Sequence, residues 1–185
     1  MRQHDYRWLI SLGCNLLLIW LVGIANHYLV ARSFIGIDYW TVHLYVGGLL
    51  VTFAALRLDL AHGLASTLVT GLAVDSQIPV PFGTSMVLFG LVHSVLFSGR
   101  QRFPREEVIF AIIVALFSNL FLFLVLSFAL IGRLPHPGSA WLRLFSDLIA
   151  SQIVITLITP WFLALQVRAY ALAHLNPETG RRLAT

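Results

Sequence analysis

Formal charge in this chain is confined to short clusters. Between them the sequence runs uncharged over residues 8–31, 39–56, 60–74, 76–99, 108–132 and 148–167. A bilayer core takes roughly 20 apolar residues of helix at about 1.5 Å each. Five of these intervals meet that length. Residues 60–74 are short, which requires little tilt, extension by their flanks or a re-entrant path. At 58% hydrophobic and 11% charged, the chain also lies outside the range of soluble domains, which carry about 25% charge. The reading is all-α: an integral membrane bundle of six transmembrane helices, with residues 1–175 as one six-span domain and 176–185 as a short polar tail.

Arginine placement sets the orientation, because basic side chains near span ends are retained on the cytoplasmic side. With six spans and a cytoplasmic N-terminus, Arg2, Arg7, Arg57, Arg100, Arg102, Arg105, Arg168, Arg181 and Arg182 fall inside, and Arg32, Arg133 and Arg143 outside. That is nine against three; a five-span layout with 60–74 re-entrant gives five inside and seven outside. Six spans with N- and C-termini both cytoplasmic is the expected topology, placing the chain in a cytoplasmic (inner) membrane as a multi-pass protein. The first apolar segment follows Arg2 and Arg7 but is longer than a cleavable signal core, so it reads as a retained span. Ser146 and Asp147 are expected to cap the last helix, and Thr159-Pro160 to kink it.

Several function classes lose support on composition. The net charge of +4 comes entirely from arginine, with no lysine. Those arginines sit at span ends rather than on a basic domain, so nucleic-acid binding is not expected. The one cysteine, Cys14, lies within the first span and cannot close an intrachain disulfide, and no Cys/His group has metal-ligand spacing. No nucleophile–base motif or phosphate loop is legible. Glu106 and Glu107 are adjacent and diverge on a helix. Neither catalytic residues nor a cofactor or metal site is expected, and the chain reads as a non-enzyme.

Within residues 60–99 the single formal charge is Asp75. A carboxylate between two apolar segments marks either a turn or a site. Gly63, Thr67, Gly71 and Asp75 recur every four residues, with Ser66 and Thr70 beside them, and so share one helix face. Small residues at that spacing let helix backbones approach closely in lipid. Gly83 and Gly90 on the next helix fit the same packing. The face is therefore either an internal helix-packing surface or a partner interface. Asp75 is either a turn carboxylate bound by backbone amides near Ser76 and Gln77, a partner of Arg32, Arg133 or Arg143, or an ion or proton site. His27, His43 and His93 lie on different spans and read as interhelical hydrogen-bond donors.

At Gly71-Leu-Ala-Val-Asp75, followed by Pro81-Phe82-Gly83 and an apolar span ending in Arg100-Gln-Arg102, the chain resembles the rod shape-determining protein MreD family. The length, the six-span layout, the basic loop after the fourth span and the long apolar fifth span are similar too. That resemblance implies a non-enzymatic inner-membrane component of the bacterial cell-wall elongation machinery. Its partners would be MreC, the actin-like MreB and the peptidoglycan synthases. The family is also similar in build to the substrate-binding S components of energy-coupling-factor vitamin transporters, the alternative reading. A transporter subunit needs convergent polar groups at the outer side; Asp38, Tyr39, Asp75, Gln77, Arg133, His136 and Gln152 are the residues near that side.

Overall fold

The computed structural model describes residues 6–31, 42–100, 108–131 and 137–175. It is all-helical among those residues, with α1 at Arg7–Ala31, α2 at Gly47–Arg57, α3 at Leu60–Asp75, α4 at Thr84–Gly99, α5 at Val108–Ile131 and α6 at Pro137–Leu172. Three stretches, Arg7–Leu29, Val108–Ile131 and Trp141–Leu172, are long and apolar enough to cross a membrane on their own. They mark the chain as a membrane protein. The arrangement of side chains agrees. Trp161, Ile109 and Phe117 stand 80%, 70% and 69% exposed, whereas Asn15, Thr52, Ser66, Thr70, Asn119 and Gln166 are fully buried. A soluble domain has the opposite distribution.

Two segments depart from the lengths read off the sequence. Residues 39–56 promised a full span, yet α2 has only 11 residues, and the chain reaches it through non-helical residues 42–46. Residues 76–99 yield a 16-residue α4, because residues 76–83 are spent on a turn. The short segment 60–74 is helical throughout as α3. Helix α2 is short because it is central: nine of its 11 residues, Gly47 to Ala55, are buried. Its Leu49, Leu50 and Val51 join Leu18 and Ile19 of α1, Phe89 and Val92 of α4, Ala115 and Leu122 of α5 and Ile155 of α6 in one core.

Helix directions follow from paired contacts. Asn15 meets Thr70 and Gly23 lies against Gln77, so α1 and α3 run parallel. Gly71 packs on Met86 and Gly63 on His93, so α3 and α4 are antiparallel. Tyr45 bonds Ser151 while Phe53 stacks on Tyr170, so α2 and α6 are parallel. Tyr45 also meets Phe123, and Gly48 meets Asn119, which makes α2 and α5 antiparallel. One end of the bundle thus carries Asp75, Asp147 and Arg143, and the other Arg7, Arg57, Arg100, Arg168 and Asp59. Helix α6 begins at Pro137, well before the cap expected at Ser146 and Asp147. Both residues are therefore inside the helix: Ser146 Oγ donates to the Arg143 carbonyl, and Asp147 serves another segment altogether. Pro160 lies within the same helix.

Candidate functional site

The carboxylate singled out by the sequence closes the turn between α3 and α4. Asp75 is 5% exposed. Its Oδ2 accepts from the Gly83 N–H at 2.8 Å and its Oδ1 from the Ser85 N–H at 2.8 Å. These amides open α4, where the first turn has no helical acceptors of its own. A negative group also suits that end of the helix dipole. The turn reading thus holds with different donors: Gly83 and Ser85, not the amides near Ser76 and Gln77. Gly83 adopts φ +96°, a backbone region that L side chains rarely enter. That geometry turns the chain from the Gly83 amide into α4, where the Ser85 N–H meets the other Asp75 oxygen.

The small residues of α3 are occupied by the chain's own helices. A Cβ on Gly71 would lie 2.6 Å from Met86 Cα, and one on Gly63 2.6 Å from His93 Cε1 and 2.9 Å from the Ala54 carbonyl. Gly90 lies under Leu68, whose Cδ2 would be 2.9 Å from an added Cβ. Thr67 Oγ1 and His93 Nδ1 are 3.1 Å apart, an interhelical hydrogen bond. So Gly63, Thr67, Gly71, Asp75 and Gly90 are brought together as one seam between α3 and α4, and Gly83 joins it through its amide bond to Asp75, with open space where a Cβ would stand. At these positions the small residues pack against the chain's own helices.

At the same end, the non-helical segment ahead of α2, half-buried apart from exposed His43 and buried Val46, packs against α1, α5 and α6. Irregular backbone at membrane depth needs partners for its polar groups. Asn26 of α1 supplies both kinds to Leu44, accepting from its N–H at 2.7 Å and donating to its carbonyl at 3.0 Å. From α6, Asp147 Oδ1 accepts from the His43 N–H and Ser151 Oγ from the Tyr45 N–H, each at 2.9 Å. From α5, Asn119 Oδ1 accepts from the Gly48 N–H at 3.2 Å. Gly48 is itself pressed against the Asn119 and Ala115 backbone, where no Cβ would fit. Tyr45 Oη, Asn119 Nδ2 and Gln152 Oε1 are buried with no hydrogen-bond partner among the described residues.

The sequence did not single out Asn15, Asn26, Tyr45, Asn119, Ser151 or Gln166. Their signal was available: an amide or hydroxyl inside a span is costly unless it faces another helix. Of the residues weighed for an outer solute site, Asp38, Tyr39, Arg133 and His136 lie outside the described residues. Asp75 is committed to its cap, Gln77 lies beside Gly23, and Gln152 Nε2 donates to the Leu116 carbonyl at 3.2 Å. His43 Nδ1 accepts from Arg143 at 3.3 Å, and His27 is exposed beside Tyr28.

At the other end, Asp59 caps α3. Its carboxylate meets His62 Nδ1 at 2.8 Å and accepts from the His62 N–H at 3.4 Å. Burial pushes this carboxyl up, but the ring and backbone hydrogen bonds from His62, with the ring's charge, hold it below its ordinary 3.8. Arg100 reaches across from the end of α4 to donate to the Leu58 carbonyl, its guanidinium 3.7 Å over the Phe97 ring.

No family model matches the chain, and no curated protein or solved structure matches it either.

Proposed function

We propose that the chain is a non-enzymatic, six-span component of a bacterial inner membrane that organises cell-wall elongation by holding other proteins, as its resemblance to the MreD family implies. The observation that carries this reading is the α3–α4 unit. Of the residues that make the resemblance, Asp75 and Gly83 close the turn and Gly71 packs against Met86 just beyond it. Alternating helix directions support an even number of crossings. Among the described residues, four arginines at one end, Arg7, Arg57, Arg100 and Arg168, against Arg143 at the other support cytoplasmic termini. The partners would be an MreC-like protein and the other elongation proteins. With the Gly63–Asp75 face occupied internally, contact falls to the loops at the Asp75 end, where Phe82 stands 76% exposed on the turn.

Co-expression with an MreC-like protein and affinity purification from membranes tests this. The wild type should retain the partner and Phe82→Ser should lose it with thermal stability unchanged. A chain that never retains the partner would remove the scaffold role.

The second reading, a substrate-binding S component of a vitamin transporter, is favoured by the non-helical residues 42–46 ahead of the short α2. Tyr45 Oη, Asn119 Nδ2 and Gln152 Oε1 lie nearby, unpartnered among the described residues. Non-helical backbone with free polar groups beside it is a common way to build solute sites in transporters. Thermal stabilisation by one vitamin from a panel, together with co-purification of an ATPase module, would decide for it.

A further inference from the structure

Helix α1 joins α3 on one side and α6 on the other at two stacked polar levels. In the first, the Asn15 amide is central. Its Nδ2 donates to the Leu50 carbonyl and to Thr70 Oγ1, each at 3.1 Å, and its Oδ1 accepts from Gln166 Nε2 at 3.4 Å. A carbonyl only accepts, so Leu50 fixes which way the Asn15 amide is turned. Asn15 in turn fixes Gln166, whose Oε1 is left as an acceptor with no donor among the described residues.

The second layer lies one turn nearer the arginine-bearing end. Four residues before Asn15 is Ser11, four before Thr70 is Ser66, and four after Gln166 is Tyr170. Because α1 and α3 run parallel and α6 runs against them, these three residues share one level. Tyr170 is fully buried, and its hydroxyl donates to the Arg7 carbonyl at 2.6 Å. Ser11 and Ser66 are also fully buried, and neither Oγ has a hydrogen-bond partner among the described residues. Several hydroxyls in the bundle return to the carbonyl four residues back, as Thr52, Thr70, Ser94 and Thr159 do, whereas Ser85 Oγ is unpartnered among the described residues as well.

Three unpartnered buried oxygens therefore lie at adjacent levels of these helices: one obligate acceptor and two groups able to donate or accept. A buried water typically makes two to four hydrogen bonds to groups of this kind. A cation is disfavoured by the positive Arg7 side chain buried at this end of α1. We propose that a resident water lies between these levels, bridging Gln166 of α6 to Ser11 of α1 and Ser66 of α3, so that bound water adds to the direct bonds that tie α6 to α1.

The full chain in lipid nanodiscs, exposed to a synchrotron X-ray beam, tests this by side-chain oxidation. Radicals formed from a bound water modify the side chain beside it even where bulk solvent has no access. Tyr170 should be oxidised several-fold faster than Phe89, which is equally buried but lies in the apolar core, after correction for ring reactivity. Gln166→Leu or Ser66→Ala should bring Tyr170 down to the Phe89 rate. Equal rates at Tyr170 and Phe89 in the wild type would overturn the proposal, whatever the variants do. So would thermal stabilisation by sodium over choline chloride that Ser66→Ala abolishes, which would assign the site to a cation.

Discussion

Two backbone entries into helices are held inside this bundle by different means. The start of α4 is held by Asp75, which lies only eight and ten residues before the amides it accepts from. The segment leading into α2, and its first turn, are held by Asn26, Asn119, Asp147 and Ser151, drawn from α1, α5 and α6. A cap closed within one hairpin forms with the hairpin. One assembled from three other helices exists only once all three have docked. Stability in the first case is concentrated in a single carboxylate; in the second it is spread over several neutral or half-buried contacts.

That contrast is open to direct attack. Asp75→Ala should have the largest effect, about 3 kcal/mol, because it leaves two buried amides without their charged acceptor. Asp75→Asn should recover part of the lost melting temperature. Next comes Gly71→Leu, at about 2 kcal/mol, since even the first added carbon meets the Met86 backbone. The same substitution should weaken recovery of any bound partner if the α3–α4 unit shapes the docking end. On the other side, Asn119→Leu should cost only about 1 kcal/mol, as interhelical hydrogen bonds in lipid generally do. A loss at Asn119 equal to that at Asp75 would erase the distinction between concentrated and distributed capping.

Asp59→Ala sharpens the comparison from the opposite end, where the cap is local but solvated. The Asp59 side chain is 37% exposed, so the expected cost is about 0.5 kcal/mol, near the low end for cap removal. Its carboxyl is held below the ordinary value in the folded state. The stabilisation is therefore complete above about pH 4 and fades as pH falls through the lowered pKa. Melting curves of wild type and Asp59→Ala should converge in acid and separate toward neutrality. A gap that stayed constant with pH would show that the charge of Asp59 is not what stabilises α3.

Much of the α3–α4 unit was legible because its parts are neighbours in the chain. The four-residue spacing of Gly63, Thr67, Gly71 and Asp75 defines a face wherever the segment is helical, and a lone carboxylate before Pro79 and Pro81 marks a turn. What spacing could not say was which amides the carboxylate would serve, since that depends on the path of the turn. The α2 region was misjudged for a related reason. Uncharged residues 39–56 look like any other span, and apolarity alone cannot show that the helix starts only at Gly47. Its shortness depends on distant polar side chains that satisfy the backbone of residues 43–45. The start of α6 was missed similarly: Ser146 and Asp147 have the residue types of a cap, but the helix had already begun at Pro137 and Asp147 is used across the bundle.

Composition and charge spacing by themselves determined that this is a helical membrane protein, because lipid excludes charge and leaves the pattern visible in one dimension. Only the tertiary structure decided which interior polar groups meet. Asn15 with Thr70 and Gln166, and Asn119 with Gly48, are separated by 55, 151 and 71 positions. In a bilayer such groups gain partners only where helices dock, so their pairing belongs to the packing and not to any local stretch of sequence.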